Sequence, residues 1–330
     1  MSHSFLAKNF RNLGLLVLGG LIGSTAYAQA SVNYPNKPIT LVVTYPPGGG
    51  ADAMARLLAP KMSEALGHNV VVDNKPGAGG QIGAAAVAKA APDGYTLMLD
   101  ASSFAVNPSL YRKLPYDPIK AFTPIGVVAL FPNVVLVTAN FSAQNVSDLI
   151  AVARKAKGSV SYASSGNGSA QHLAGALFES ATGVDMIHVP YKGGGHRQSA
   201  QSSALHMLQC GSQVAEEQRH LPADNIVQRG TAATRSPMLP GVPTLSEAGV
   251  KGAEIYEWNA VFVPAGTPQA VIGKIASAFQ HALDAPEVKQ RIAQLGGEIQ
   301  RSTPEQARAF IEQQVSQWGR VIRERNISVE

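Results

Sequence analysis

The chain has 330 residues, 45% of them hydrophobic and 15% charged, with a formal net charge of +5. That size and apolar content provide for two globular domains and exclude a disordered or fibrous chain. A single cysteine excludes an internal disulfide, and a mild positive charge without a lysine or arginine cluster among aromatics excludes a nucleic-acid surface.

Lys8 and Arg11 precede an apolar run from Leu13 to Ile22, and Ala26-Tyr27-Ala28 supplies the small-x-small pattern of a cleavage site. Residues 1–28 are therefore expected to be a secretory signal, removed after Ala28. The run is too short to span a bilayer, and no later segment reaches the ~18 to 20 apolar residues required. The mature protein is expected to be exported and soluble, outside the reach of cytoplasmic ATP and nicotinamide pools.

ITLVVT (Ile39 to Thr44) is a continuous apolar run of strand length. The loop YPPGGG follows, then a helical pattern in which Met54, Leu57, Leu58, Lys61 and Met62 recur at spacings of three and four, with Asp52 in the first turn. The unit repeats as NVVVD (Asn69 to Asp73), the loop NKPGAGG and an alanine-rich helix from about Gln81 to Ala90, before the strand YTLMLD (Tyr95 to Asp100). Repeated strand-loop-helix units predict a doubly wound parallel sheet. NPSLYRKLPYDPIKAFTPI, with four prolines and no sustained period, reads as an irregular surface excursion.

VVLVT (Val134 to Thr138) restarts the pattern. A helix capped by Asn145 or Ser147 runs through SDLIAVARKAK, SVSYA (Ser159 to Ala163) is a strand, SSGNGS leads to a helix near Ala170 to Ala181, and DMIHV (Asp185 to Val189) is the next strand. This second series predicts a second domain of the same class. The C-terminal third reads as helical: Pro268 to Leu283, Pro286 to Leu295, and Pro304 to about Arg323, each opened by a proline at the favoured first-turn position.

Four glycine loops follow strands: Pro46 to Gly50, Gly77 to Gly80, Ser164 to Ser169, and Tyr191 to Gly195. The first three open helices, where free N–H groups and the positive end of the helix dipole attract anions. A Walker-type phosphate site is excluded, because Ala51-Asp52 stand where GK[ST] is required. A dinucleotide fingerprint around Gly77, Gly79 and Gly83, with Asp100 as the ribose acid, is weakened by the inserted Lys75-Pro76 and by export. The remaining readings are simple tight turns and a carboxylate held by backbone amides. Ser165 lies outside any G-x-S-x-G elbow. His172 is either a general base or a partner of its own loop, His188 reads as a structural strand histidine, and Asp52 is either a helix-start acid or a ligand contact.

At these residues the chain resembles the Bug family (TctC-like), the periplasmic solute-binding proteins of tripartite tricarboxylate transporters. The segments that carry the resemblance are YPNKPITLVVTYPPGGGADAMARLLA, VVVDNKPGAGGQIGAAAVAKAAPDGYTLML, NPSLYRKLPYDPIKAFTPI, YASSGNGSAQHLAGALF, VPYKGGG and RSPMLPGVPTLSEAG, most of the mature chain. It implies an α/β fold, a two-domain periplasmic binding protein (Venus flytrap, type 2-like), each domain a mostly parallel sheet flanked by helices. The implied layout is domain 1 over 29–130, domain 2 over 131–252, and a helical return to domain 1 over 253–330. It further implies a monomer without cofactor or catalytic residues, closing on a small carboxylate and delivering it to the transporter's membrane components. By position the ligand residues would be Pro47, Gly48, Gly49, Asp52, Gly79, Gly80 and Gln81 from one lobe and Ser165, Gly166, Asn167, Gly168, Ser169, His172 and Tyr191 from the other, with Ala101 and Ser102 secondary. Two alternatives stand beside it: an exported hydrolase of the same shape with His172 as base, and a degenerate relative that binds nothing.

One interval departs from the pattern. Residues 196–234 are rich in glutamine and serine and show no strand-like apolar run, although their length is what the resemblance requires. Matching length with foreign composition is what a pair of compensating frameshifts produces, and the coding DNA read in its other frames tests this. His196, His206, Cys210 and His220 fall here. The four-residue step from His206 to Cys210 would suit zinc on a helix, but on this reading all four are out of frame and no metal site is expected.

Overall fold

The computed structural model describes residues 33–137, 141–143, 145–155, 157–164, 166–191, 205–209, 229–230, 235 and 241–327, with backbone only for 205–209 and 229–230. β1 (Ile39–Val43) lies between β2 (Val70–Asn74) and β3 (Thr96–Ala101), parallel to both. Its sequence ITLVV is buried at four of five positions, as a strand covered on both faces must be. The crossovers are α1 (Gly50–Leu66), then α2 (Gln81–Ala88), which is entered through a 3-10 turn at Ala78–Gly80. The sheet is completed by β4 (Phe122–Val137) and β9 (Tyr256–Pro264) in the order β2-β1-β3-β9-β4, so its outer part is antiparallel.

β4 also founds the second sheet. Up to Pro132 it pairs with β9, and from Asn133 it pairs antiparallel with β7 (Leu205–Gln209). Proline has no N–H to give a ladder, and Pro132 stands where the partner changes. β5 (Ser161–Ser164) runs parallel to β7 and to β6 (Ile187–Pro190). Two short strands, β8 (Arg229–Gly230) and β10 (Glu298–Ile299), pair with β4 in the second and first sheets respectively.

The remaining helices are α3 (Ser103–Leu110), α4 (Val146–Lys155), α5 (Ala170–Thr182), α6 (Gln269–Asp284), α7 (Pro286–Gln294) and α8 (Pro304–Glu324). The last three return to the first sheet. α6 covers β4 so closely that a Cβ on Gly126 would lie 2.4 Å from the Phe279 ring. α8 buries Ile311, Trp318 and Ile322 and touches α3, where a Cβ on Gly319 would meet the Ser109 hydroxyl at 2.9 Å. Between the layers Phe104, Phe122 and Phe262 pack with ring centroids 4.6 to 6.2 Å apart, two of the three pairs edge to face.

Four expectations change. The excursion after Asn107 is irregular only between α3 and β4, since Pro108 sits in the last turn of α3 and removes one helical bond two residues before the helix ends. The C-terminal third opens with a strand, β9, buried at seven of nine positions, because its apolar run meets β3 and β4 on both sides. Pro268 is the cap of α6 with extended ψ, whereas Pro286 and Pro304 take the first turn. The interval 196–234 does carry a strand: LHMLQ forms β7, because the free edges of β4 and β5 template a backbone ladder that composition alone does not announce.

Candidate functional site

The loop after β1 leads straight into α1, whose N-cap Gly49 offers no side chain to the first helical N–H groups. Those donors are the feature an anion seeks. Pro47, Gly48 and Gly49 are exposed. Asp52, in contrast, is buried and fully engaged: it accepts from the Gly48 N–H at 2.9 Å, from Arg56 Nε at 2.9 and 3.0 Å, and from Asn74 Nδ2 at 3.0 Å. Burial raises its pKa, but the bonds from Arg56, Gly48 and Asn74 outweigh that and hold it below the usual carboxylate range. Its geometry is that of a staple fixing the loop to β2, since Asn74 also donates to the Tyr45 carbonyl.

The second loop ends in left-handed Gly79 and Gly80, and Gly80 caps α2 without a side chain. A Cβ on Gly80 would press against Asp100 Oδ1 at 3.3 Å and against Thr44. The Gly79 carbonyl accepts from Asn107 Nδ2 at 2.9 Å, which ties the loop to α3. Gln81 is buried, and its Nε2 has no partner among the described residues.

At the end of β3 the donors of Ala101 and Ser102 are taken. Asp100 Oδ1 accepts from Thr44 Oγ1 at 2.8 Å and from the Ala101 N–H at 2.7 Å, while Asp100 Oδ2 is buried and unpartnered. Glu257, on β9, accepts from the Ser102 N–H at 3.4 Å and its hydroxyl at 2.8 Å. Burial pushes both carboxyls up to about 7, and Glu257 further disfavours charge on Asp100. Tyr45, bonded to Ser103, is raised further by burial and by Asp100. Glu257 was absent from the sequence-level candidates; its one signal was a lone acid beside an apolar run, YEWNAVFVP.

In the second sheet the loop Gly166 to Ser169 opens α5, and Ser169 caps it by accepting from the His172 N–H at 3.2 Å. His172 Nδ1 accepts from the Gly168 N–H at 3.1 Å, which leaves the ring proton on Nε2. Its ring stacks on His188 at 3.8 Å, and His188 Nε2 pairs with Ser164 Oγ at 2.6 Å. Burial pushes His172 down to about 3, helped by His188, and pushes His188 down to about 4. A neutral imidazole so reluctant to take a proton is a hydrogen-bond donor and a poor general base. Asn167 is exposed, the Tyr191 N–H bonds back to the Ser164 carbonyl at 3.0 Å, and Ser165 lies outside the described residues.

This loop lies against α3. A Cβ on Gly168 would lie 2.4 Å from Leu110 Cδ2 and 3.5 Å from Val106 Cγ1, both on α3. Among the described residues no group of three or more His, Cys, Asp or Glu could hold a metal. His196, Cys210 and His220 lie outside the described residues, and His206 is described by backbone only.

The model of the TctC family, described as the tripartite tricarboxylate transporter family receptor, matches residues 54–327. Protein BugT of Bordetella pertussis (strain Tohama I) is 35% identical over 323 residues, 94% of this chain and 97% of its own. The structure of the periplasmic binding protein BugD superposes with a TM-score of 0.78 at 34% identity, covering 89% of this chain and 99% of that one. R. palustris Rpa4515, solved with adipate, gives a TM-score of 0.80 at 32% identity, covering 90% and 100% respectively.

Proposed function

The chain belongs to the tripartite tricarboxylate transporter receptor family, and from that premise we propose that it is a periplasmic solute-binding protein which captures a small carboxylate and delivers it to the membrane components of such a transporter. Residues 1–28 act as the export signal, and the mature protein works as a monomer. The lobes would follow the expected layout, 29–130 with 253–330 against 131–252, closing about the β4 and β9 crossing. The ligand's carboxylate would lie against the loops at Pro47 to Gly49, Gly79 to Gln81 and Ser165 to Ser169, with His172 and Tyr191 beside them; Pro47 has no N–H and can only shape its loop, and the Gly48 N–H is given to Asp52.

The observation that carries this reading is the placement of Gly168. The start of α5 lies directly on α3, the same helix to which the Gly79 carbonyl is tied through Asn107, so the second and third glycine loops share one supporting helix. The adipate found with the R. palustris relative is a carboxylate of the expected class. A thermal melt of residues 29–330 with and without mono-, di- and tricarboxylates tests it. A ligand at 100 times its Kd adds ~2.7 kcal/mol, and one carboxylate class should raise Tm by several degrees. A melt that no carboxylate moves overturns the reading.

A further inference from the structure

Glu257 places a carboxylate of the protein's own at the start of α3, on the Ser102 N–H and hydroxyl. A helix start is where a ligand's second carboxylate would otherwise be drawn. A second acid stands beside it: Asp100 is fully buried, its Oδ1 lies 3.3 Å from where a Gly80 Cβ would be, and its Oδ2 has no partner among the described residues. Among the described residues no cation bears on either acid. The cations nearest the loops along the chain, Arg56 and Lys75, are paired with Asp52 and Asp73 at 2.9 and 3.1 Å.

The site is therefore polarised. The first-turn N–H groups of α1, which have no intrahelical acceptor, favour an anion, whereas the acids at the end of β3 and the start of β9 disfavour one. Resting on the carboxylate-capture reading above, we infer that Glu257, backed by Asp100, is a specificity-determining residue: it admits a ligand with a carboxylate at one end and a hydrogen-bond donor, ammonium or hydroxyl, at the other. Above about pH 7, where both acids are ionised and where the probes below are compared, a second ligand carboxylate at that end would meet like charge, and an unpaired charge in a partly desolvated site is rejected more strongly than a missing contact. Neither acid needs to react; each acts by accepting.

Matched probes with one spacer test this by calorimetry on residues 29–330: 4-aminobutyrate and 4-hydroxybutyrate against glutarate, each with three methylenes, and the four-methylene set 5-aminopentanoate and 5-hydroxypentanoate against adipate. The wild type should bind a donor-ended probe at least tenfold more tightly than the dicarboxylate of the same spacer. Glu257→Gln removes the charge but keeps an acceptor for the Ser102 hydroxyl, and it should cut that ratio at least fivefold by strengthening the dicarboxylate. Equal or better binding of the dicarboxylates by the wild type overturns the inference and leaves carboxylate capture standing. Silence of every probe, together with a melt that no carboxylate moves, overturns both. Should the Gln variant fail to fold, the wild-type ratio alone decides.

Discussion

His172 is the residue where local geometry fixes chemistry most narrowly. Its Nδ1 is committed to the Gly168 N–H, so only Nε2–H remains to meet a ligand, and the stack on His188 holds the ring in place. The two ring positions can be separated by substitution. His172→Asn keeps an acceptor near Nδ1 and loses the Nε2 donor; His172→Gln keeps a donor at the longer reach and loses the loop acceptor. A hydrogen bond to a charged group is worth ~1.5 to 3 kcal/mol, so the Asn variant should bind carboxylate about ten- to a hundredfold more weakly with little change in ligand-free Tm. The Gln variant should show the reverse, a lower Tm with most of the affinity retained. Isothermal titration and melts of both variants read this out, and equal affinity losses in the two would show that the ring acts only through the loop. Asp52 marks the opposite case: its oxygens are already filled by Gly48, Arg56 and Asn74, so its influence on ligand passes through the loop it fixes.

At the scale of elements, the approach of α5 to α3 rests on one glycine. Gly168 has φ +75°, which costs an L-residue ~1 to 2 kcal/mol, and its missing Cβ leaves the room that Leu110 Cδ2 fills. Gly168→Ala should lower Tm by a few degrees and weaken carboxylate binding severalfold. Adding Leu110→Ala should recover part of the affinity by relieving the clash, with the backbone strain left in place. A double-mutant cycle in which the two losses simply add would show that the contact does not couple the lobes. The sequence made the β1-α1, β2-α2 and β5-α5 units legible, because buried parallel strands are apolar throughout and the glycine loops mark where each ends. It did not reveal β9 or the length of β4. Those strands lie where antiparallel neighbours decide the structure, and Pro124, Gly126 and Pro132 break the local pattern. β7 was hidden for a related reason, since His206 and Gln209 read as polar while a ladder needs only the backbone between β4 and β5. Glu257 was missed with its strand, so of the acids near the site the sequence offered Asp52 as a ligand contact and Asp100 only as a ribose acid.

Across the whole molecule, two pairs of desolvated titratable side chains pull stability in opposite directions with pH. Asp100 and Glu257 titrate near 7 in the folded protein and near ~4 when unfolded. The folded state therefore holds more protons over that window, and their contribution, full below about pH 4, is lost as pH rises through about 7. His172 and His188 titrate near 3 and 4 in the folded protein and near ~6.5 when unfolded. Here the unfolded state holds more protons, so their contribution is full above about pH 6.5 and is lost as pH falls towards 3. Between about pH 4 and 6.5 the two trends offset, and the wild type should melt at nearly constant temperature across that range. Asp100→Asn mimics the protonated acid and removes its share of the acid trend. Its stability relative to wild type should therefore rise with pH from about 4 to 7, by at most ~1.4 kcal/mol per pH unit for one proton fully displaced. Melts of both proteins at half-unit pH steps measure the difference. A gap independent of pH would mean that Asp100 is ionised in the folded protein and carries its own negative charge beside the Gly80 turn.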